Sequence, residues 1–333
     1  MLLQKIIITA IAVFALMVTV SCNTGMHMAG NKLPGYIEIS FDNGIKKIAL
    51  SSGNVKEIIK RKSDFSIGSF DVSPDGKKRV FATRIGRKSG LVLYSTEKDM
   101  KTVVRRKFVG YPSFSPDGNT IAYLFQKKER VRKYWFTDSY LYTVNVDGST
   151  DKKVSETSVF YYHRPSWFPD GRRLAVGTRD FTIRIIDLDK GTEKKIIDFG
   201  SAPTVSNDGK TIAYLSKDTD EATKKKIVDY KNITYKEYKE TVLDKHERDE
   251  EMWELSKLFI KNSIYLYDVS TKESRKLTEE ITVEMPVVWS PDDKYLIYND
   301  RRGISDEIFA VEIETGKRFK VTSEHGRVMV WRK

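Results

Sequence analysis

The sequence predicts an all-β fold, a six-bladed β-propeller whose C-terminal strand joins the N-terminal blade and closes the ring. Three observations predict it. A Pro-Asp-Gly turn motif returns along the chain at five positions. The unit between copies is about 40 residues, the size of a four-stranded blade. Each end of the chain carries strand-like segments that lack the partners needed for a blade of their own.

The turn copies are Val72-Ser73-Pro74-Asp75-Gly76, Phe114-Ser115-Pro116-Asp117-Gly118, Trp167-Phe168-Pro169-Asp170-Gly171, a worn Val205-Ser206-Asn207-Asp208-Gly209, and Trp289-Ser290-Pro291-Asp292-Asp293. Proline presets φ for a tight turn, aspartate bonds to nearby backbone amides, and glycine accepts positive φ without a Cβ clash. Each copy is followed by an apolar second strand, such as Thr120-Ile121-Ala122-Tyr123 or Thr211-Ile212-Ala213-Tyr214. Third strands follow, among them Leu91-Val92-Leu93-Tyr94 and Ile264-Tyr265-Leu266-Tyr267, and then a polar turn and a basic fourth strand. Within each unit the strands are A, B, C and D, with the Pro-Asp-Gly turn between A and B.

The ends supply the sixth blade. Residues 36 to 60 read as strands B, C and D without an A, and Val328-Met329-Val330-Trp331 reads as an A strand with nothing after it. Sharing a blade leaves no open sheet edge. With its Ser-Pro-Asp-Gly turns and Ile-Ala-Tyr second strands, the chain resembles the TolB-like propeller family over about residues 36 to 333. The resemblance implies the fold. It implies function only loosely, because many relatives are periplasmic or cell-surface binding proteins and others are propellers fused to a serine hydrolase domain.

The N-terminus reads as an address. Lys5 precedes an apolar run from Ile6 to Val20, too short for a comfortable bilayer span and suited to a secretory signal. Ser21-Cys22-Asn23 follows, and Cys22 is the only cysteine of the chain. A lone cysteine at the end of a signal resembles the lipidated cysteine of bacterial lipoproteins, which implies cleavage before Cys22 and acyl chains on its sulfur. The expected organisation is a signal over 1–21, a lipidated tether over 22–35 and the propeller over 36–333. The implied location is a bacterial membrane surface, periplasmic or external, with no intramolecular disulfide.

The spacing between Asp208 and Asp292 is twice a repeat, so residues 217–261 form an insertion between strands B and C of blade five. Tyr235, Tyr238, Val242, Met252, Leu255 and Phe259 fall near helical spacing, which predicts a helical arm. If A strands run from face one to face two, the Pro-Asp-Gly turns lie on face two. The B-to-C loops and the links between blades then lie on face one. Face one therefore gathers a basic, aromatic set: Arg105, Arg106 and Lys107, then a long loop with Lys127, Lys128, Arg130, Arg132, Lys133, Tyr134 and Trp135. Tyr161, Tyr162, His163 and Arg164 precede an A strand at the channel mouth on the same face. The net charge of +12 points the same way, toward acidic partners.

Catalytic sets are sparse. No Gly-x-Ser-x-Gly nucleophile elbow occurs, and the four histidines (His27, His163, His246 and His325) show no metal-ligand spacing. No cofactor is expected. The expected function is a membrane-anchored protein-binding scaffold of the cell envelope, with an envelope protein, an anionic glycan or lipid headgroups as partner. Export argues against nucleic acid. Two alternatives stay open: a carbohydrate-active or other hydrolase or lyase with its site at the channel mouth, and a sensor holding a small ligand in the channel.

Overall fold

In the computed structural model the described residues are 33–333 apart from 42–43, 61–64, 86–87, 96–99, 132–133, 160–162, 226–261, 284–286, 301–306, 323 and 325. Among them, 24 strands form six four-stranded antiparallel sheets. Blade one takes β1 (Tyr36–Phe41), β2 (Gly44–Ala49) and β3 (Val55–Ile59) from the N-terminus and β24 (Arg327–Arg332) from the C-terminus, in the order β24-β1-β2-β3. The ring therefore closes as expected. Trp331, 1% exposed, donates its indole N–H to the Pro34 carbonyl at 2.7 Å across the junction. Leu33, within the stretch read as tether, is buried in the same apolar cluster as Trp331.

Among the described residues the core is not one mass but six, and each mass lies between two neighbouring blades. The cluster of Ile121 and Tyr123 takes Val80 and Leu91 from blade two, whereas Ala122 and Leu124 belong to the cluster of Leu174 and Val176 in blade four. Successive side chains of a strand point to opposite faces, so a strand between two neighbours is apolar on both. This is why the second strands read as continuous apolar runs rather than alternating ones. The sixth cluster joins Ile37, Ile39 and Trp331 of blade one to Ile297 and Ile308 of blade six, which is the ring closure seen as packing.

A buried ion pair ties blade one to its other neighbour, blade two. Arg79 of β5 (Lys78–Ile85) grips Glu38 of β1 through two bonds, Nη2 to Oε1 at 2.5 Å and Nε to Oε2 at 2.9 Å. The two side chains are 5% and 0% exposed.

The turns show what the serine of the motif does. In blade two, the Ser73 hydroxyl donates to Asp75 Oδ1 at 2.6 Å and accepts the Lys78 amide at 2.9 Å, while Asp75 also accepts the Lys77 amide. Ser115 and Asp117 repeat the arrangement, as do Ser206 with Asp208 and Ser290 with Asp292. Phe168 stands in the serine position of blade four, and there the Arg173 guanidinium bonds Asp170 at 2.6 Å instead. The two irregular copies compensate each other. Asn207, in place of proline, keeps its backbone N–H and donates it to Asp293 Oδ1 at 2.8 Å; its side-chain amide adds a bond of 2.7 Å to the same oxygen. Asp293, in place of glycine, adopts φ +57° and also accepts the Asp208 amide at 3.0 Å.

Two segments differ from expectation or lie outside the description. The stretch read as a loop in blade three is a long hairpin: β9 (Thr120–Val131) and β10 (Tyr134–Asn145) stay in register from Asn145↔Thr120 to Tyr134↔Val131. The unbroken polar run from Gln126 to Arg130 kept that stretch from reading as strand. A short helix occupies 221–225, its first turn capped by Asp220, which accepts the Thr223 amide at 2.8 Å and the Thr223 hydroxyl at 2.9 Å. The rest of the expected helical arm, 226–261, lies outside the described residues, as do the expected signal and Cys22.

Candidate functional site

Six A strands surround the axis of the ring: β4 (Phe65–Val72), β8 (Val109–Phe114), β12 (Ser166–Trp167), β16 (Ser201–Val205), β20 (Val288–Trp289) and β24. These strands belong to different sheets, so their backbone groups need other partners. Side chains supply several. The Asp71 carboxylate accepts the Phe114 amide at 2.8 Å, and the Ser166 hydroxyl accepts the Val205 amide at 2.9 Å. The indoles of Trp167 and Trp289 donate to the carbonyls of Ser113 and Thr204.

Inside this ring of strands is a cavity of about 350 Å³. Pro74, Pro116 and Pro169 of the turns line it, so it occupies the face-two end of the channel. Among the described residues three charged side chains also line it: Asp71, Arg164 and Arg332. Arg164 Nη1 lies 3.0 Å from Asp71 Oδ1, and its Nη2 donates to the Met329 carbonyl at 2.5 Å. Arg332 Nη2 lies 3.9 Å from the same Asp71 oxygen and donates to the Val72 carbonyl at 3.1 Å. Burial pushes the Arg164 guanidinium below its ordinary value, and Arg332 pushes the same way, against the pull of Asp71.

The residues expected on face one divide. Arg106 is held: its Nη2 lies 2.7 Å from Asp151 Oδ2, and its guanidinium sits 5.1 Å and 4.9 Å from the ring centroids of Phe125 and Tyr142. Asp151 also accepts the Tyr123 hydroxyl at 2.5 Å, and that bond, after burial, raises the Tyr123 phenol above its ordinary value. Arg105 and Lys107 are exposed on the link between blades two and three, followed by Phe108, a large apolar side chain 45% exposed at φ +60°. The Phe108 carbonyl accepts the Gln126 amide at 2.8 Å, which seats this link against the long hairpin. Lys127 is exposed and pairs in register with Asp138. For Lys128, Arg130 and the residues Tyr134 and Trp135 the description covers strand and register alone; Arg132, Lys133, Tyr161 and Tyr162 lie outside it.

His163 Nδ1 accepts the Ala202 amide at 3.2 Å, tying blade four to blade five. Arg164 turns into the channel rather than toward face one. Among the described residues no group of three His, Cys, Asp or Glu side chains converges to hold a metal. Asp218 bonds the Tyr265 hydroxyl and, at 2.6 Å, the Lys276 ammonium.

Asp71 and Arg332 were missed by sequence reasoning, although a signal existed. Aligning the repeats puts Asp71 in a column with Ser113, Ser166, Thr204, Val288 and Val330, where it is the sole charge. Arg332 occupies the column of Ser73, Ser115, Phe168, Ser206 and Ser290.

No family model matches the chain, and no curated protein matches it in sequence. Solved structures do share its fold. TolB from Acinetobacter baumannii is 17% identical with a TM-score of 0.65, over 89% of this chain and 66% of that one. A putative TolB from Agrobacterium tumefaciens is 16% identical with a TM-score of 0.56, over 90% and 92%. An oligogalacturonate lyase from Vibrio parahaemolyticus is 13% identical with a TM-score of 0.52, over 83% and 74%. The chain thus spans a little under two-thirds of the first of these. The fold is a six-bladed propeller, shared with these structures; identities this low carry the fold and nothing finer.

Proposed function

We propose that this chain is an exported, lipid-anchored propeller that works as a protein-binding scaffold of a bacterial envelope. The observation that carries the reading is the rim of blades two and three. Arg105, Lys107 and the 45%-exposed Phe108 sit on a link that bonds to the twelve-residue strand β9. Strands of five to eight residues occupy this position in the other blades, as in β5, β13 (Arg173–Gly177) and β17 (Thr211–Ser216), so the hairpin extends past its neighbours. An exposed aromatic preceded by cations, beside a long hairpin, suits an acidic protein surface. Anchoring rests on the signal-like N-terminus and on Cys22.

The test has two parts. Labelling with a radioactive fatty acid should mark the wild-type protein and leave Cys22→Ser unmarked. Capture from detergent-solubilised envelope should then compare wild type, the triple variant Arg105→Glu, Lys107→Glu, Phe108→Ala, and a chain with residues 127–138 replaced by Asn-Gly. A protein recovered by wild type and lost by both folded variants supports the scaffold reading. Equal recovery by all three refutes this face as the interface.

A further inference from the structure

Among the described residues the channel cavity holds two guanidinium groups and one carboxylate, a net charge of +1 inside a ring of buried strands. Its other polar lining, such as Ser113, Ser166 and Asn207, is neutral. Asp71 is already committed: it accepts the Phe114 amide on one oxygen and faces Arg164 with the other. Arg332 is left under-coordinated. Its Nη groups hydrogen-bond main-chain carbonyls, of Val72 at 3.1 Å and Trp331 at 3.3 Å, and Nη2 stands 3.9 Å from Asp71 Oδ1. Its Nε is buried and has no hydrogen-bond partner among the described residues. A buried nitrogen with an unmet donor is costly even on a side chain that is 33% exposed, and an added acceptor there displaces no existing bond.

From these observations we infer that the face-two end of the channel is a binding site for a small organic monocarboxylate, held by Arg332 and Arg164. A single negative charge balances the cavity; a doubly charged phosphate would overshoot it. The planar fork of arginine matches a carboxylate in two bonds. The volume of about 350 Å³ takes a compact molecule and no more, and the pyrrolidine rings of Pro74, Pro116 and Pro169 offer apolar walls for its body. The site lies at the opposite end of the channel from the face proposed to dock a protein. It therefore stands or falls independently of the scaffold reading.

Calorimetric titration of the full chain with benzoate, and with benzamide as its uncharged counterpart, tests the inference. Wild type should bind benzoate saturably with one site, and benzamide roughly tenfold or more weakly, because a hydrogen bond to a charged group is lost. Arg332→Gln should weaken benzoate by roughly tenfold or more while keeping the melting temperature near that of wild type, since the hydrogen bonds of Arg332 go to carbonyls. Asp71→Asn, which removes the competing carboxylate and keeps an oxygen for the Phe114 amide, should tighten benzoate. Absence of saturable benzoate binding by wild type overturns the inference. So does benzoate binding unchanged by Arg332→Gln, which would put the anion elsewhere.

Discussion

The Glu38–Arg79 pair offers a sharp test of how blade one is held. Both side chains are essentially out of solvent, at 0% and 5% exposure, and they meet through two bonds of 2.5 and 2.9 Å. Removing one partner strands the other as a buried charge, which costs about 3–5 kcal/mol, against a total stability of roughly 5–15 kcal/mol. Replacing both by apolar residues of similar volume removes the desolvation cost with the attraction, so the pair change is about neutral. The expectation is therefore strong non-additivity. Glu38→Leu and Arg79→Met should each lose about 3 kcal/mol or more, and the double variant should recover most of either loss. Urea unfolding followed by circular dichroism reads all four proteins. Single losses below about 1 kcal/mol, the range of exposed pairs, would refute the argument that this contact is desolvated and holds blade one to blade two. Additive losses would refute it as well.

Two further outcomes follow from the turns. The Ser73 and Ser115 hydroxyls, with the Lys77 and Asn119 amides, hold the carboxyls of Asp75 and Asp117 below their ordinary values. A depressed carboxyl contributes stability that is complete above the unfolded value, about 3.9, and is lost as pH falls through the folded one. The urea midpoint should therefore fall as pH drops from about 5 to about 3, and by less in Asp75→Asn/Asp117→Asn; identical pH profiles would contradict the assignment. Gly171 and Gly209 both sit at positive φ, +67° and +74°, so alanine strains each by about 1–2 kcal/mol. At Gly209 a Cβ would also come within 2.8 Å of the Pro169 ring, against 4.0 Å to Pro116 at Gly171. Gly209→Ala should melt clearly below Gly171→Ala, and equal melting temperatures would count against close stacking of successive turns.

Much of this architecture was readable along the chain because it is local. Proline, aspartate and glycine at fixed offsets specify a turn whatever surrounds it, and apolar runs of strand length between such turns specify blades. Ring closure was readable too, since an A strand at one end and a B-C-D set at the other each lack what the other has. The serine of the motif is local as well, but its role appears only when its hydroxyl is seen between the Asp75 carboxylate and the Lys78 amide. The long hairpin was hidden by its polarity: Lys127 and Lys128 read as loop, yet they pair in register with Asp138 and Thr137.

What the tertiary structure alone decided is which charges meet. Arg106 counted in sequence as one more cation of a docking crest; the fold brings Asp151 and two rings of blade three to it. Residues 71, 164 and 332 share no local pattern, because they belong to three blades and meet only at the axis the ring creates. Strand period and turn chemistry act over a handful of residues and are written in the order of the chain. The charge in the channel depends on how six such units close, and closure is a property of the whole ring.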